Sequence, residues 1–459
     1  MAHAHQADFT WIDGRLVRDA VVTVGDDGRI ESVGMEVGDE QTVERLRGRI
    51  LLPGFVNAHS HGFQRLLRGR VEARPGGTGG DFWGWRDAMY RAVDRLDPDD
   101  FERATRLAFV EMALAGWTHV VEFHYVHHQA GGVPYEDPHE LSRRVLAAAE
   151  YAGIGITLLR VAYQRGGAGV PAAGGQLRFV DSIDDYWLAL EELDAFRTPG
   201  PRPVGIGIAA HSVRALGRDY LDGLADLARR DPGVVHAHVC EQPREIEECL
   251  AEHGLRPVEL LHEVGLLGPR FTAVHATHLG GSELALLGES GSSVCVCPST
   301  ERNLGDGLPD LTGMLAAGVP LALGSDSQAR IDPFAEARGL EDGERLRTGG
   351  RVVLAPRGST AAAVLGAATS GGALAAGLDA GRIEVGARAD LVTVRIEDPT
   401  FTGTGGDAEA VAGALVLGGT PGLVEDVWVG GRRIVERGRH PGLSKAARSF
   451  DEVVGRVYG

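Results

Sequence analysis

The chain has 459 residues, 46 basic against 64 acidic, for a formal net charge of −18 at pH 7. Every basic residue except Lys445 is an arginine, which disfavours a Schiff-base lysine, a phosphate-loop lysine, a Ser-Lys dyad and a carbamylated lysine bridging two metal ions. The acidic balance disfavours nucleic acid and anionic membranes, and no apolar run approaches the length of a spanning helix.

Residues 1–9 lack a basic segment followed by an apolar core, so no signal peptide is expected. Their His3-Ala4-His5 pair reads as part of a disordered terminus rather than a metal site. Residues 8–12, 20–24 and 30–33 read as short strands joined by tight turns at Asp13-Gly14 and Asp26-Asp27-Gly28. In the long middle, short apolar runs recur at 50–52, 118–123, 155–161, 204–209, 234–239, 271–275, 293–297 and 320–323. Segments of helical period, such as 99–115 and 219–230, lie between most of them. About eight strands alternating with helices predict an α/β fold of the (β/α)₈ TIM-barrel type rather than a doubly wound sheet. The Gly-rich stretches 76–80 and 166–175 read as mobile loops without phosphate-loop form. Residues 391–396, 424–429 and 432–435 return to strand texture, with a Gly430-Gly431 turn. Cys240, Cys249, Cys295 and Cys297 read as reduced, buried thiols of a cytoplasmic protein. A zinc pair at Cys295 and Cys297 is the alternative.

In such a barrel the chemistry sits at the C-terminal ends of the strands, and the histidines fall there. His59 and His61 follow the 50–52 run. On an extended backbone, residues i and i+2 share a face, so both can point at one ion. His238 ends the 234–239 run, and Glu241, three residues on, suits a proton shuttle. His236 lies on the same face about 7 Å deeper and reads as an inner-layer residue with a satisfied hydrogen bond. His275 closes the 271–275 run, where it can polarise a substrate or a metal-bound water. His278, already in the loop, reads as a structural hydrogen-bonding residue. Asp326 follows an apolar strand and a Gly-Ser turn, as a ligand or a helix N-cap. Each position is ambiguous alone. Together, a His pair, two single His and an Asp at successive strand ends fit a zinc site of three imidazoles and one carboxylate, with room for a water whose pKa the ion lowers toward about 7. Asp326 can hold and deprotonate that water.

This ligand order, with β segments at both chain ends, resembles the amidohydrolase superfamily. The motifs Asn57-Ala58-His59-Ser60-His61-Gly62-Phe63-Gln64-Arg65, Phe82-Trp83-Gly84-Trp85-Arg86-Asp87-Ala88-Met89-Tyr90, Glu122-Phe123-His124-Tyr125-Val126-His127-His128, His211-Ser212-Val213-Arg214-Ala215 and Ser299-Thr300-Glu301-Arg302-Asn303-Leu304-Gly305-Asp306-Gly307 are similar to those of its formimidoylglutamate deiminase family. The resemblance runs over nearly the whole chain. It implies a metal-binding barrel over 52–380 and a small β-sandwich domain built from 1–51 and 381–459. It also implies one divalent ion, zinc foremost, on His59, His61, His238 and Asp326, with Glu241 shuttling a proton to the leaving nitrogen and His275 assisting at the reacting carbon. Gln64, Arg86, Tyr125, His211 and Arg214 would hold a small dicarboxylate, and guanidinium forks suit carboxylates. The implied reaction is hydrolysis of N-formimidoyl-L-glutamate to N-formyl-L-glutamate and ammonia in histidine degradation, by a homodimer. His124, His127 and His128 keep a structural reading. After Gly324-Ser325-Asp326-Ser327 the family has His; here Gln328 stands, which leaves the aspartate derivative open as a substrate. A purine- or pyrimidine-like ring acted on by another deaminase of the superfamily is the other alternative.

Overall fold

The computed structural model describes residues 3–36, 42–73, 80–355 and 358–459. Eight parallel strands surround the centre: β1 (Phe55–Ser60), β2 (Trp117–His124), β3 (Gly155–Ala162), β4 (Val204–Ala210), β5 (Val235–Val239), β6 (Phe271–His275), β7 (Ser293–Val296) and β8 (Leu321–Leu323). Each pairs with the next in sequence. The β8–β1 seam is joined by backbone: Asp326 N–H donates to His59 O and His61 N–H to Asp326 O, both at 3.0 Å. The barrel thus closes through residues that the sequence assigns to the site. β2 and β3 are buried at every position, as strands are when helices cover one face and packed side chains fill the other.

Helix boundaries follow local chemistry. Asp97 caps Pro98–Ala115 by accepting from Asp100 N–H at 2.8 Å, and left-handed Gly116 ends that helix and turns the chain into β2. Ser182 and Asp332 cap Ile183–Leu193 and Pro333–Thr348 in the same way. Gly324 is needed for closure. A Cβ there would lie 2.8 Å from His59 O and 3.0 Å from Cys297 Sγ, so a side chain would push β8 off β1.

The two chain ends build one eight-stranded sheet. Its order is Arg432–Val435, Val424–Val429, Leu391–Arg395, Val43–Pro53, His3–Ile12, Val21–Val24 and Ile30–Gly34, with Arg15–Arg18 hairpinned onto His3–Ile12. The run 50–52, read from sequence beside the barrel strands, belongs to this sheet: Leu52 pairs with Val392. Only Gly54 separates Val43–Pro53 from β1, and an apolar run reads alike whichever sheet it enters. His3-Ala4-His5, expected to be disordered, is strand. His5 lies 3.3 Å from Glu44 and 5.0 Å from the Trp428 ring. The 166–175 stretch carries part of a short hairpin, Arg165–Gly167 with Val170–Pro171, whereas 76–79 lies outside the described residues. The last helix, Leu443–Tyr458, returns to the barrel, where Arg456 pairs with Asp100. No helix among the described residues is long and apolar enough to cross a membrane.

Candidate active site

The strand ends converge. Ligand-type atoms of His59, His238, His275 and Asp326 all lie within 4.8 Å of one another. His59 Nε2 is 3.1 Å from His238 Nε2 and 3.2 Å from Asp326 Oδ1, and His61 Nε2 is 3.3 Å from that same oxygen. His61 Nδ1 donates to Phe123 O at 3.0 Å and His238 Nδ1 to His211 O at 2.9 Å. A carbonyl only accepts, so both rings carry a proton on Nδ1 and turn Nε2 toward the cluster. Burial pushes His59 down to about 3 and His238 well below the usual histidine value, so both rings are neutral at pH 7. Neutral nitrogen lone pairs converging beside a buried carboxylate are the donor set of a divalent cation, and the Nδ1 bonds fix their aim. The residues present therefore fit a metal ion.

Backbone strain gathers at the same place. Cys240, His275, Ala276, Asp326 and Gln328 adopt φ of 53°, 69°, 52°, 47° and 59°. Left-handed non-glycine residues cost of order 1–3 kcal/mol each and persist where surrounding structure enforces them.

A hydrogen-bond net supports the seam. Gln328 Nε2 donates to Ser60 Oγ at 3.0 Å and to Asp326 O at 2.7 Å, and its Oε1 accepts from Ser325 Oγ at 2.9 Å. Asn57 Nδ2 donates to Ser325 Oγ at 2.6 Å. Glu122 accepts from Ser60 Oγ and from Gly62 N–H, each at 2.6 Å. These ties grip the backbone on both sides of His59, His61 and Asp326. Burial pushes the Glu122 carboxyl up to about 7. Sequence reasoning gave Asn57, Glu122 and Ser325 no role; motif membership was their only signal.

Beside the cluster lies a group able to move protons. Glu241 Oε1 is 3.7 Å from His275 Nε2, and Asp326 Oδ2 is 3.9 Å from that nitrogen. Glu301 Oε1 holds His275 Nδ1 at 3.2 Å. Burial works against the imidazolium, but Glu241, Glu301 and Asp326 outweigh it and hold His275 well above the usual value. Burial raises Glu241 as well. Asp306 is pushed up to about 9, by burial first and the nearby Glu241 second, and it accepts from Gln242. Glu301 and Asp306 sit in a motif seen in the sequence but received no role there.

A cavity opens onto these groups. Gln64, Arg86, Tyr125, His211 and Arg214 all line it. Gln64 Nε2 donates to Tyr125 OH at 2.7 Å. Arg86 Nε and Arg214 Nη1 are buried without a hydrogen-bond partner. Among the described residues neither guanidinium has a carboxylate within 4 Å. Against burial, Glu245 and Glu241 act on Arg214 from farther off and hold its pKa above the usual guanidinium value, but they leave its donors unused, so the cavity still offers hydrogen-bond donors to a negatively charged group. The remaining histidines are held elsewhere. His127 Nε2 meets Val161 O at 3.0 Å, His128 Nε2 meets Asp181 at 2.9 Å, His236 Nε2 meets Ala375 O at 2.9 Å and His278 Nε2 meets Asp306 O at 2.8 Å. His124 is buried with its ring edge-on to His127. All four cysteines are buried and free; Cys297 also joins His275 and Glu301 in a second group of metal-type atoms.

A closed (β/α)₈ barrel with His-X-His at its first strand, single His at the fifth and sixth and Asp after the eighth defines a barrel hydrolase with a metal-ion site. The chain belongs to the amidohydrolase family, whose model matches residues 50–434. It is 40% identical over 418 residues to formimidoylglutamate deiminase of Pseudomonas aeruginosa, covering 90% of each chain. It is 33% identical over 398 residues to 5-methylthioadenosine/S-adenosylhomocysteine deaminase of Halobacterium salinarum, covering 86% of this chain and 83% of that one. Among solved structures it is similar to an amidohydrolase from Brucella melitensis, with TM-score 0.90, 34% identity and full coverage of both chains. An adenosine deaminase from Xanthomonas campestris with bound zinc gives TM-score 0.83 and 25% identity over 98% of each chain.

Proposed function

We propose that this chain hydrolyses N-formimidoyl-L-glutamate to N-formyl-L-glutamate and ammonia. The observation that carries the reading is the pair Arg86 and Arg214, two guanidiniums that bond no carboxylate in a cavity that also exposes Glu241, His275 and Asp326. A substrate with two carboxylates satisfies both forks. The likeness to the Pseudomonas deiminase supports the same substrate.

In this reading His59, His61, His238 and Asp326 hold one divalent ion, zinc foremost because nitrogen donors with one carboxylate suit it. Such an ion polarises the amidine and lowers the pKa of water. The chain's own groups do the rest. Arg86 and Arg214 bind the carboxylates, and Gln64, Tyr125 and His211 orient the chain between them. Asp326 Oδ2, 3.9 Å from His275 Nε2, positions the attacking water. His275, held by Glu301, stabilises charge at the reacting carbon. Glu241 accepts the water's proton and returns it to the departing nitrogen. The barrel, from Phe55 rather than the expected 52 onward to about residue 380, carries this work, with the segments before and after it as its β companion. Four free thiols fit a reducing, cytoplasmic setting. The homodimer rests on the family resemblance, and sedimentation reads it. The charge of −18 disfavours nucleic acid as a partner. Ammonia release from the glutamate derivative, the aspartate derivative and a set of purines and pyrimidines tests the substrate.

A further inference from the structure

Three arginines share one indole. Trp83 sits three residues before Arg86 on the helix Phe82–Val93, a spacing that places the two on one face. The Arg86 guanidinium lies 4.6 Å from the Trp83 ring centre. Arg214, from the loop after β4, lies 5.6 Å from the same ring, and Arg244, from Pro243–His253 after β5, lies 4.6 Å from it. Three separate elements of the barrel mouth therefore meet on Trp83. The indole itself does not line the cavity, although Arg86 and Arg214 do.

The three cations differ in their partners. Arg244 is exposed and bonds Glu248 at 2.6 Å, so its charge is answered within the chain. Arg86 and Arg214 bond no carboxylate and keep buried N–H groups unused, although Glu245 and Glu241 act on Arg214 from farther off. A carboxylate would fix a guanidinium by consuming its in-plane donors. A ring face attracts the cation through its quadrupole and leaves those donors free. Trp83 is thus the means by which two guanidiniums without a bonded carboxylate are held in place with their donors free.

We propose that Trp83 is a positioning residue that fixes the spacing of Arg86 and Arg214, and through it the length of dicarboxylate that the cavity accepts. The proposal rests on the reading that the substrate carries two carboxylates. The test compares wild type, Trp83→Ala and Trp83→Phe, each loaded with metal, on the glutamate and aspartate derivatives, with kcat, KM and metal content measured. Wild-type ammonia release from the glutamate derivative checks the substrate reading by itself. Given that release, Trp83→Ala raises KM for the glutamate derivative about tenfold, as expected for two lost stacked cations. Its kcat and metal content stay unchanged, its preference for glutamate over aspartate falls, and Trp83→Phe restores most of both. Unchanged KM and preference in Trp83→Ala, or equal losses on both derivatives, overturn the proposal. Should Trp83→Ala fail to fold, Trp83→Leu takes its place in the same assay, with the same expected rise in KM and loss of preference. Unchanged KM and preference in Trp83→Leu overturn the proposal.

Discussion

Gln328→Leu isolates what the seam contributes to the site. Leucine nearly matches the volume of the wholly buried Gln328 but offers no polar atom. Three hydrogen bonds disappear: to Ser60 Oγ, to Asp326 O and from Ser325 Oγ. Two of the stranded groups keep another partner, since Ser60 still donates to Glu122 and Asp326 O still accepts from His61 N–H. The Ser325 hydroxyl loses its acceptor. One orphaned donor costs about 1–3 kcal/mol, and each ordinary bond lost costs about 0.5–1.5 kcal/mol. The sum is about 2–6 kcal/mol, partly offset by the apolar side chain. Because these bonds grip the backbone beside His59, His61 and Asp326, part of the cost reaches the metal site. The expected fall in metal affinity is about 10- to 100-fold, as for other groups that orient ligands. Competition against a chelator measures it, with melting of the metal-free protein as the companion reading. Metal affinity within about twofold of wild type would show that the net does not hold the ligands.

Removing a ligand and removing the shuttle should separate cleanly. His238→Ala is expected to lose its metal by elemental analysis, whereas Glu241→Gln keeps the metal and loses roughly 100- to 10,000-fold in kcat; normal turnover by Glu241→Gln sinks the shuttle role. Arg214→Met should raise KM for the glutamate derivative by roughly 30- to 100-fold, the worth of charge-assisted bonds to one carboxylate, with kcat affected less. A change in kcat alone would place Arg214 elsewhere in the reaction. Asp181 carries the pH prediction. Burial alone would raise its carboxyl, but the bond from His128 and the Arg160 cation hold it well below the usual carboxylate range. A depressed folded-state pKa contributes stability that is present above the unfolded value of about 3.9 and is lost as pH falls from there through the folded one. Asp181→Asn should therefore be about 3–5 kcal/mol less stable than wild type at pH 7, with a gap that narrows below about pH 4. Denaturation at both pH values shows it, and a constant gap would refute the linkage.

The strand-end histidines were legible because a barrel forces catalytic groups to one place in each βα unit, so position along the chain nearly stands for position in space. Asp326 was legible for the same reason. Arg86 and Arg214 were readable only through their motifs, since nothing local marks an arginine that lacks an acid. Glu122, Asn57, Ser325 and Glu301 act through partners. Asn57 and Ser325 are 268 residues apart in sequence, and their contact exists only because the barrel closes there. The 50–52 run shows another limit. Apolar content marks burial, but the register with Leu391–Arg395 that assigns it to the end sheet depends on a strand more than 300 residues away. His3 and His5 look like a tail until that sheet supplies Val21–Val24 as a partner.

Two guanidiniums that bond no carboxylate, beside a metal-type cluster, are proposed to select a dicarboxylate amidine. Ammonia release by the zinc-loaded protein from N-formimidoyl-L-glutamate, its aspartate homologue, adenosine-type nucleosides, guanine and cytosine measures that selection in one experiment. The expected result is rapid release from the glutamate derivative, slower release from the aspartate derivative and none from the rings. Faster turnover of a purine or pyrimidine than of either amino-acid derivative would contradict it.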